Sequence, residues 1–285
     1  MSKMTSFWTL FREFFREKSK SAYWLLLINV IAALAATVIM FVSLRNEGQA
    51  TIDFGNYKTD ASMLTAVSMA FAGMMAVFAG LIDFAYLIMT TVTNEKINRS
   101  QTWQLIPISN GKMYVGNTLS SLASLVYLGI MQLIISLIFG LIAYFSNSLL
   151  RKELSTEFAH TQFNFSDFAS PILLIALTTI LVTLFWYEIV SFLHFITRTV
   201  IDFLPSANKF VLLIIRLVVL VGVVYFLGFL IEMLGDVYGN INYFTADSST
   251  YSWFWEQVTF LLILDLIIGG LNYLMINKFV EAKAN

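Results

Sequence analysis

The chain has 285 residues, of which 58% are hydrophobic and only 12% are charged, and its formal net charge is -1. Soluble domains carry about 25% charged residues, so this composition indicates a membrane protein, and the balanced charge gives no basis for a nucleic-acid partner. The chain has no cysteine and only two histidines, which excludes disulfide bonds and cysteine chemistry and makes a metal site unexpected.

The first predicted element is an amphipathic helix over residues 1–21. Aromatic residues recur there at helical spacing, with charged residues mostly on the other side: Phe7, Trp8, Phe11, Phe14 and Phe15. We expect this elbow helix to lie in the inner membrane interface before the first span. No small-residue cleavage site follows the first apolar run, so we interpret that run as a retained helix and not as a signal peptide. Residues 22–285 are predicted to form the transmembrane domain.

Six apolar runs follow, each long enough to cross a hydrocarbon core about 30 Å thick. They cover residues 22–44, 63–91, 113–145, 171–196, 210–234 and 255–276. None shows the period-2 alternation of a barrel strand, and a backbone in lipid must satisfy its own hydrogen bonds. The predicted fold class is therefore all-α, a polytopic membrane protein with six transmembrane helices.

The distribution of basic residues predicts that both termini are cytoplasmic. With that orientation, every lysine and arginine falls on the inner side except Arg216 within the fifth span and four residues of the outer loops: Arg45, Lys58, Arg151 and Lys152. Cytoplasmic segments carry such an excess of positive charge. The polar segment between the second and third spans, near residues 93–113, is then a cytoplasmic loop.

This loop carries more apolar residues than a simple connection needs. Thr93 or Asn94 is predicted to cap a short helix, and Pro107 prevents that helix from continuing. Trp103 and Leu105 would be exposed in the cytoplasm unless a partner covers them. The loop is therefore predicted to be a docking element, and the alternative is a hairpin that only joins two helices.

Four charged residues fall within the predicted spans: Asp83, Glu188, Arg216 and Asp265. A charge near the bilayer centre costs about 2.5–3.5 kcal/mol on insertion scales, so each is a candidate for function. One interpretation is a structural ion pair of Arg216 with Glu188 or Asp83. The other is that the four residues form the polar wall of a substrate pathway.

Motifs for catalysis and nucleotide binding are missing from the sequence. The nearest match to a Walker phosphate loop, at residues 111–113, lacks the first glycine and the hydroxyl residue. There is no dinucleotide fingerprint, no zinc-protease motif and no plausible Ser/His/Asp set. We predict no catalytic residue, metal site or cofactor on this chain, so a pump of this kind would take its energy from another chain.

Residues 95–109 resemble the conserved loop of ABC-2 type permeases, the membrane subunits of bacterial ATP-binding cassette exporters. Arg99 stands at the basic position of that loop, and the matching positions that follow are Thr102, Leu105, Pro107 and Ser109. Gln101 replaces the usual glycine, and Gly116 and Asn117 replace the usual Gly-Lys. The resemblance extends in outline to the elbow helix, the six spans and the inside termini.

The resemblance implies that the loop is a coupling helix that docks on a separate nucleotide-binding subunit, which would hold ATP and Mg²⁺. The residues facing that ATPase subunit would be Glu95, Lys96, Arg99, Thr102, Trp103, Leu105 and Pro107. It also implies a second permease copy or paralogue, location in the bacterial cell membrane, and export of a hydrophobic or amphipathic substrate such as an antimicrobial peptide.

Two other classes of function remain open from the sequence. A proton-coupled secondary transporter would use Asp83, Glu188, His194 and Asp265 as a relay and need no ATPase. An intramembrane enzyme would need paired catalytic groups at one depth. Asp83 and Asp265 are the one pair worth naming, and they lack the glycine-rich surroundings of an intramembrane aspartyl protease.

Overall fold

The computed structural model describes residues 7–46, 51–54, 57–60, 63–160, 165–202, 208–242 and 252–278. The helices are α1 (Phe7–Asn46), α2 (Met63–Arg99), α3 (Gln101–Gln104), α4 (Asn110–Ser146), α5 (Ser148–His160), α6 (Phe165–Asp202), α7 (Lys209–Asn242) and α8 (Ser252–Lys278). A short antiparallel hairpin of β1 (Thr51–Phe54) and β2 (Tyr57–Asp60) precedes α2, with Thr51 opposite Asp60.

Six of the described helices are long and apolar enough to cross a membrane, namely α1, α2, α4, α6, α7 and α8. They contain the six predicted apolar runs, so the prediction of an all-α fold with six helices long and apolar enough to cross a membrane is confirmed. Their outer faces are apolar, as lipid requires: Ile39, Leu81, Leu133, Ile175 and Leu266 are all well exposed.

The helix boundaries differ from the sequence prediction in two places. The predicted cap at Thr93 or Asn94 is wrong, because α2 continues without a break through both residues to Arg99. The segment after the third span, which was predicted to be an outer loop, contains α5. Asn147 caps that helix: the Leu149 backbone N–H donates to its side-chain oxygen at 2.9 Å.

The N-terminal amphipathic segment and the first span form one continuous helix, α1, within the described range. Residues 1–6 of the predicted elbow lie outside the described residues. No helix end separates the segment before Ala22 from the span after it. The interfacial position of the elbow, and with it the domain boundary at residue 21, stays a prediction.

The chain forms two compact units, and each has its own core. The first unit comprises Met1–Phe11, Thr91–Leu122 and Ser166–Asn285. Its core holds three clusters of buried residues: Tyr114, Phe195 and Ile276; Leu174, Leu181 and Val258; and Phe192, Val223 and Ile268. These clusters join the start of α4 and the helices α6, α7 and α8.

The second unit comprises Arg12–Thr90 and Ala123–Phe165. One cluster packs Ala22 of α1 against Tyr86 of α2 and Leu128 of α4. Another contains Phe71 and Phe139, whose ring centroids are 4.1 Å apart. The Tyr86 hydroxyl donates to the Lys18 carbonyl at 3.1 Å, so a polar tie accompanies the apolar packing.

Candidate functional site

The loop between α2 and α4 is compact and its turn is set by Pro107. The Ile108 backbone N–H donates to the Ile106 carbonyl at 2.7 Å, which encloses Pro107 in a three-residue turn. The fixed backbone angle of proline suits the centre of such a turn. Ser109 then caps α4: its hydroxyl accepts from the Lys112 N–H at 3.4 Å.

An asparagine cluster joins the two arms of this loop. The Asn117 side-chain amide donates to the Asn94 carbonyl at 3.1 Å and to the Asn98 side-chain oxygen at 3.0 Å. The Ser121 hydroxyl donates to the Asn94 side-chain oxygen at 2.7 Å. All four side chains are buried. Each such bond between membrane helices is worth about 0.6–2 kcal/mol, so the base of the loop is held rigidly.

The tip of the loop is exposed, in contrast to its base. Leu105 is 84% exposed, the largest exposed fraction among the exposed large hydrophobic side chains of the described residues. Lys96, Thr102 and Pro107 are also exposed, and Trp103 is half-buried. The side chain of Arg99, a predicted coupling residue, lies outside the described part of the chain. Most of the predicted coupling residues are thus free to meet another molecule.

Glu95 is placed differently from the other predicted coupling residues, because its carboxylate contacts α6. The Ser191 hydroxyl donates to Glu95 Oε1 at 3.0 Å, and His194 Nε2 lies 3.6 Å from Glu95 Oε2. One turn earlier, the Trp186 indole N–H donates to the Thr91 hydroxyl at 3.2 Å. The end of α2 is therefore attached to α6 along two turns.

The start of α4 is attached to α8 through a close contact at Gly111. The Gly111 N–H donates to the Asn277 side-chain oxygen at 3.0 Å. A Cβ at position 111 would lie 2.2 Å from the Tyr273 ring and 2.6 Å from the Asn277 amide nitrogen. Only glycine allows this approach without displacement of both side chains.

A buried carboxylate cluster lies in the same unit, between α6 and α8. Glu188 and Asp265 are 7% and 4% exposed, and Asp265 lies one helical turn before Gly269, the residue of α8 that is next to the Glu188 carboxylate. Asn272 is fully buried, and its amide donates to the Glu188 carbonyl at 2.8 Å and to the Tyr114 hydroxyl at 3.0 Å. Gly269 leaves room for the Glu188 side chain, since a Cβ there would lie 2.5 Å from Glu188 Oε1.

Several oxygen atoms of this cluster have no hydrogen-bond partner among the described residues. They are Glu188 Oε2, both carboxylate oxygens of Asp265, and the side-chain oxygen of Asn272. Arg216, the predicted partner of Glu188, is exposed on α7 and forms no ion pair with any described residue. The predicted Arg216–Glu188 pair is therefore not formed, because the arginine faces outward while the glutamate is enclosed.

Asp83, the remaining predicted pathway residue, lies in the second unit and is half-buried. The sequence analysis missed the buried polar residues that carry no charge, including Asn272 and Asn29. Asn29 is fully buried, and its side-chain amide has no hydrogen-bond partner among the described residues. A search for amide residues inside the apolar runs would have found both. Across the described residues, no group of three or more His, Asp or Glu side chains is placed to hold a metal ion.

Comparisons with known proteins give no identification. No family model matches the chain, and neither a curated protein nor a solved structure matches it.

Proposed function

We propose that this chain is the permease subunit of an ATP-binding cassette exporter in the bacterial cell membrane, with both termini in the cytoplasm. A separate ATPase subunit would hold ATP and Mg²⁺, and a second permease copy or paralogue would complete the transporter. The observation that carries the proposal is the loop after α2, in which an exposed apolar tip at Leu105 stands on a rigid, hydrogen-bonded base.

In this proposal the rigid base converts a push on the loop into movement of the spans. Within the first unit, two contacts would transmit the movement of the loop to the spans. One joins Glu95 to Ser191 and His194 on α6, and the other joins Gly111 to Asn277 on α8. Glu95 thus acts inside the permease, and the docking surface consists of exposed residues: Lys96, Thr102, Leu105 and Pro107. The exported substrate would be hydrophobic or amphipathic, possessing a positive group that the carboxylates of α6 and α8 attract.

The test is co-purification with the ATPase encoded beside this chain. Leu105→Ala should reduce the recovered ATPase strongly, because Leu105 is the most exposed apolar side chain of the loop. Leu149→Ala is the matched control, since Leu149 is 51% exposed on α5, on the side predicted to face outward. Equal recovery with Leu105→Ala and the wild type would contradict the docking role.

The carboxylate cluster favours a second candidate, a proton-coupled transporter. Burial of a charged carboxylate costs free energy, and these two enclosed carboxyl groups have no cation partner among the described residues. The cost is lowest when the carboxyl groups carry protons. Such a transporter would work in vesicles without any ATPase, driven by a pH gradient. Glu188→Gln and Asp265→Asn should abolish that transport and Asp83→Asn should reduce it, whereas transport that requires added ATPase and ATP would exclude this candidate.

A further inference from the structure

Helix α7 is covered less than its neighbours by the rest of the chain. In its most apolar stretch only 6% of residues are buried, against 28% for both α6 and α8. Its one basic residue inside the span, Arg216, is exposed and forms no ion pair within the described part of the chain. An arginine on a lipid-facing helix is costly unless its guanidinium reaches an anion or the membrane interface.

A cavity of about 350 Å³ lies between α6 and α7 and is open at the protein surface. Its lining is apolar throughout: Phe192, Ile196, Val219, Gly222, Val223 and Phe226. These residues lie within segments that are apolar enough to cross a membrane, where no water is present to fill the space. A lipid acyl chain matches the chemistry of this cavity.

Arg216 lies on α7 one turn before Val219, the first residue of α7 in the cavity lining. Val219 and Val223 follow it by three and seven residues, which is the spacing of one helix face. Side chains of a helix tilt toward its N-terminus, so Arg216 extends away from the cavity toward the start of α7 at Lys209. That start is about 10 Å away, within reach of the headgroup region for a long side chain.

We propose that α6 and α7 form a binding site for one anionic phospholipid, with an acyl chain in the cavity and the phosphate on Arg216. A guanidinium binds phosphate with two parallel hydrogen bonds, and basic residues beside gaps between membrane helices recognise anionic headgroups. A free inorganic anion would leave the apolar cavity empty. A symmetric contact with a second copy over this face would bring two unneutralised Arg216 side chains together.

The test uses the full chain purified in detergent, with native mass spectrometry of bound lipids. Phosphatidylglycerol and phosphatidylcholine with identical acyl chains are added separately. We expect the wild type to retain phosphatidylglycerol about fivefold better, and Arg216→Gln to lose this preference, since one basic residue contributes about that factor. Arg216→Lys should keep most of the preference, because it keeps the charge.

Two glycines of α7 provide a matched pair for the acyl-chain half of the site. A Cβ at Gly222 or at Gly228 meets no other atom within 4 Å, but only Gly222 lines the cavity. Gly222→Leu should therefore reduce retention of both lipids, while Gly228→Leu should leave it unchanged. Gel filtration and circular dichroism establish that each variant is folded.

Three results would overturn the lipid site. The first is equal retention of the two lipids by the wild type. The second is equal retention by the Gly222→Leu and Gly228→Leu variants. The third is a dimer that dissociates on Gly222→Leu while lipid retention is unchanged, which would assign this face to a second copy.

Discussion

Helices α7 and α8 each contain a stretch that is long and apolar enough to cross a membrane, yet they pack very differently. Along α8 one face is buried over three turns, through Leu264, Asp265, Ile268, Asn272 and Ile276. Along α7 only Val223 and Leu230 are buried among the described side chains. In lipid, apolar residues gain little by leaving the hydrocarbon, so fit and hydrogen bonds decide which helices associate. On α8, Asn272 supplies hydrogen bonds and Gly269 allows a close contact with Glu188, whereas a Cβ at Gly222 or Gly228 of α7 would meet no atom within 4 Å.

The largest effect should come from Leu264→Ala, which removes a core side chain that is 1% exposed on α8. We expect a loss of about 2 kcal/mol in the free energy of unfolding, the low end for a buried leucine, because lipid offers no hydrophobic penalty for exposure. Unfolding in mixed micelles with increasing dodecyl sulfate measures it. A loss below about 0.5 kcal/mol would mean that α8 is not a packed helix.

Gly111→Ala should lower the free energy of unfolding by about 1–2 kcal/mol, slightly less than Leu264→Ala. The added methyl group displaces the Tyr273 ring and the Asn277 amide from α4. The same unfolding measurement applies. Tyr273→Ala in the Gly111→Ala background should recover part of the loss, because it removes the closest atoms. No recovery would show that the clash is not the cause.

A smaller effect is expected for the hydrogen bond between Asn272 and Tyr114. A double-mutant cycle with Asn272→Ala and Tyr114→Phe should give a coupling energy of about 0.6 kcal/mol, the usual value for such bonds between membrane helices. Additive effects of the two substitutions would contradict a direct bond between α4 and α8.

The smallest effects are expected on α7. Leu217→Ala removes a side chain that is 59% exposed, and Gly222→Ala adds a methyl group into open space. Both should change the free energy of unfolding by less than about 0.5 kcal/mol. A loss on Leu217→Ala comparable with that on Leu264→Ala would show that α7 is covered in the functional assembly, and the contrast with α8 would disappear.

The sequence predicted the six spans because length and hydropathy determine them locally. It did not predict that α2 continues past Thr91 through Asn94 and Glu95, because this depends on distant partners. Asn117 and Ser121 donate hydrogen bonds to Asn94, and Ser191 donates one to a carboxylate oxygen of Glu95. Without those partners, the polar stretch is indistinguishable from a loop.

Only part of the candidate site was predicted, because the rest depends on contacts between distant residues. The charged residues Glu188 and Asp265 are conspicuous in an apolar run, and the structure encloses both in one cluster. Asn272 and Tyr114 are not conspicuous, and neither is the need for glycine at position 269. Those roles depend on which faces of α4, α6 and α8 meet, and a single helix pattern does not determine that.

The asparagine cluster at the base of the α2–α4 loop has a consequence for biosynthesis. Asn94 and Asn98 lie near the end of α2 on the predicted cytoplasmic side, and Asn117 lies near the start of α4, so the buried polar groups of each arm find their partners only in the other arm. The two helices should therefore leave the translocation machinery together as a hairpin. A nascent chain that ends between Asn98 and Asn117 should hold α2 at the translocon until the second arm has been synthesised.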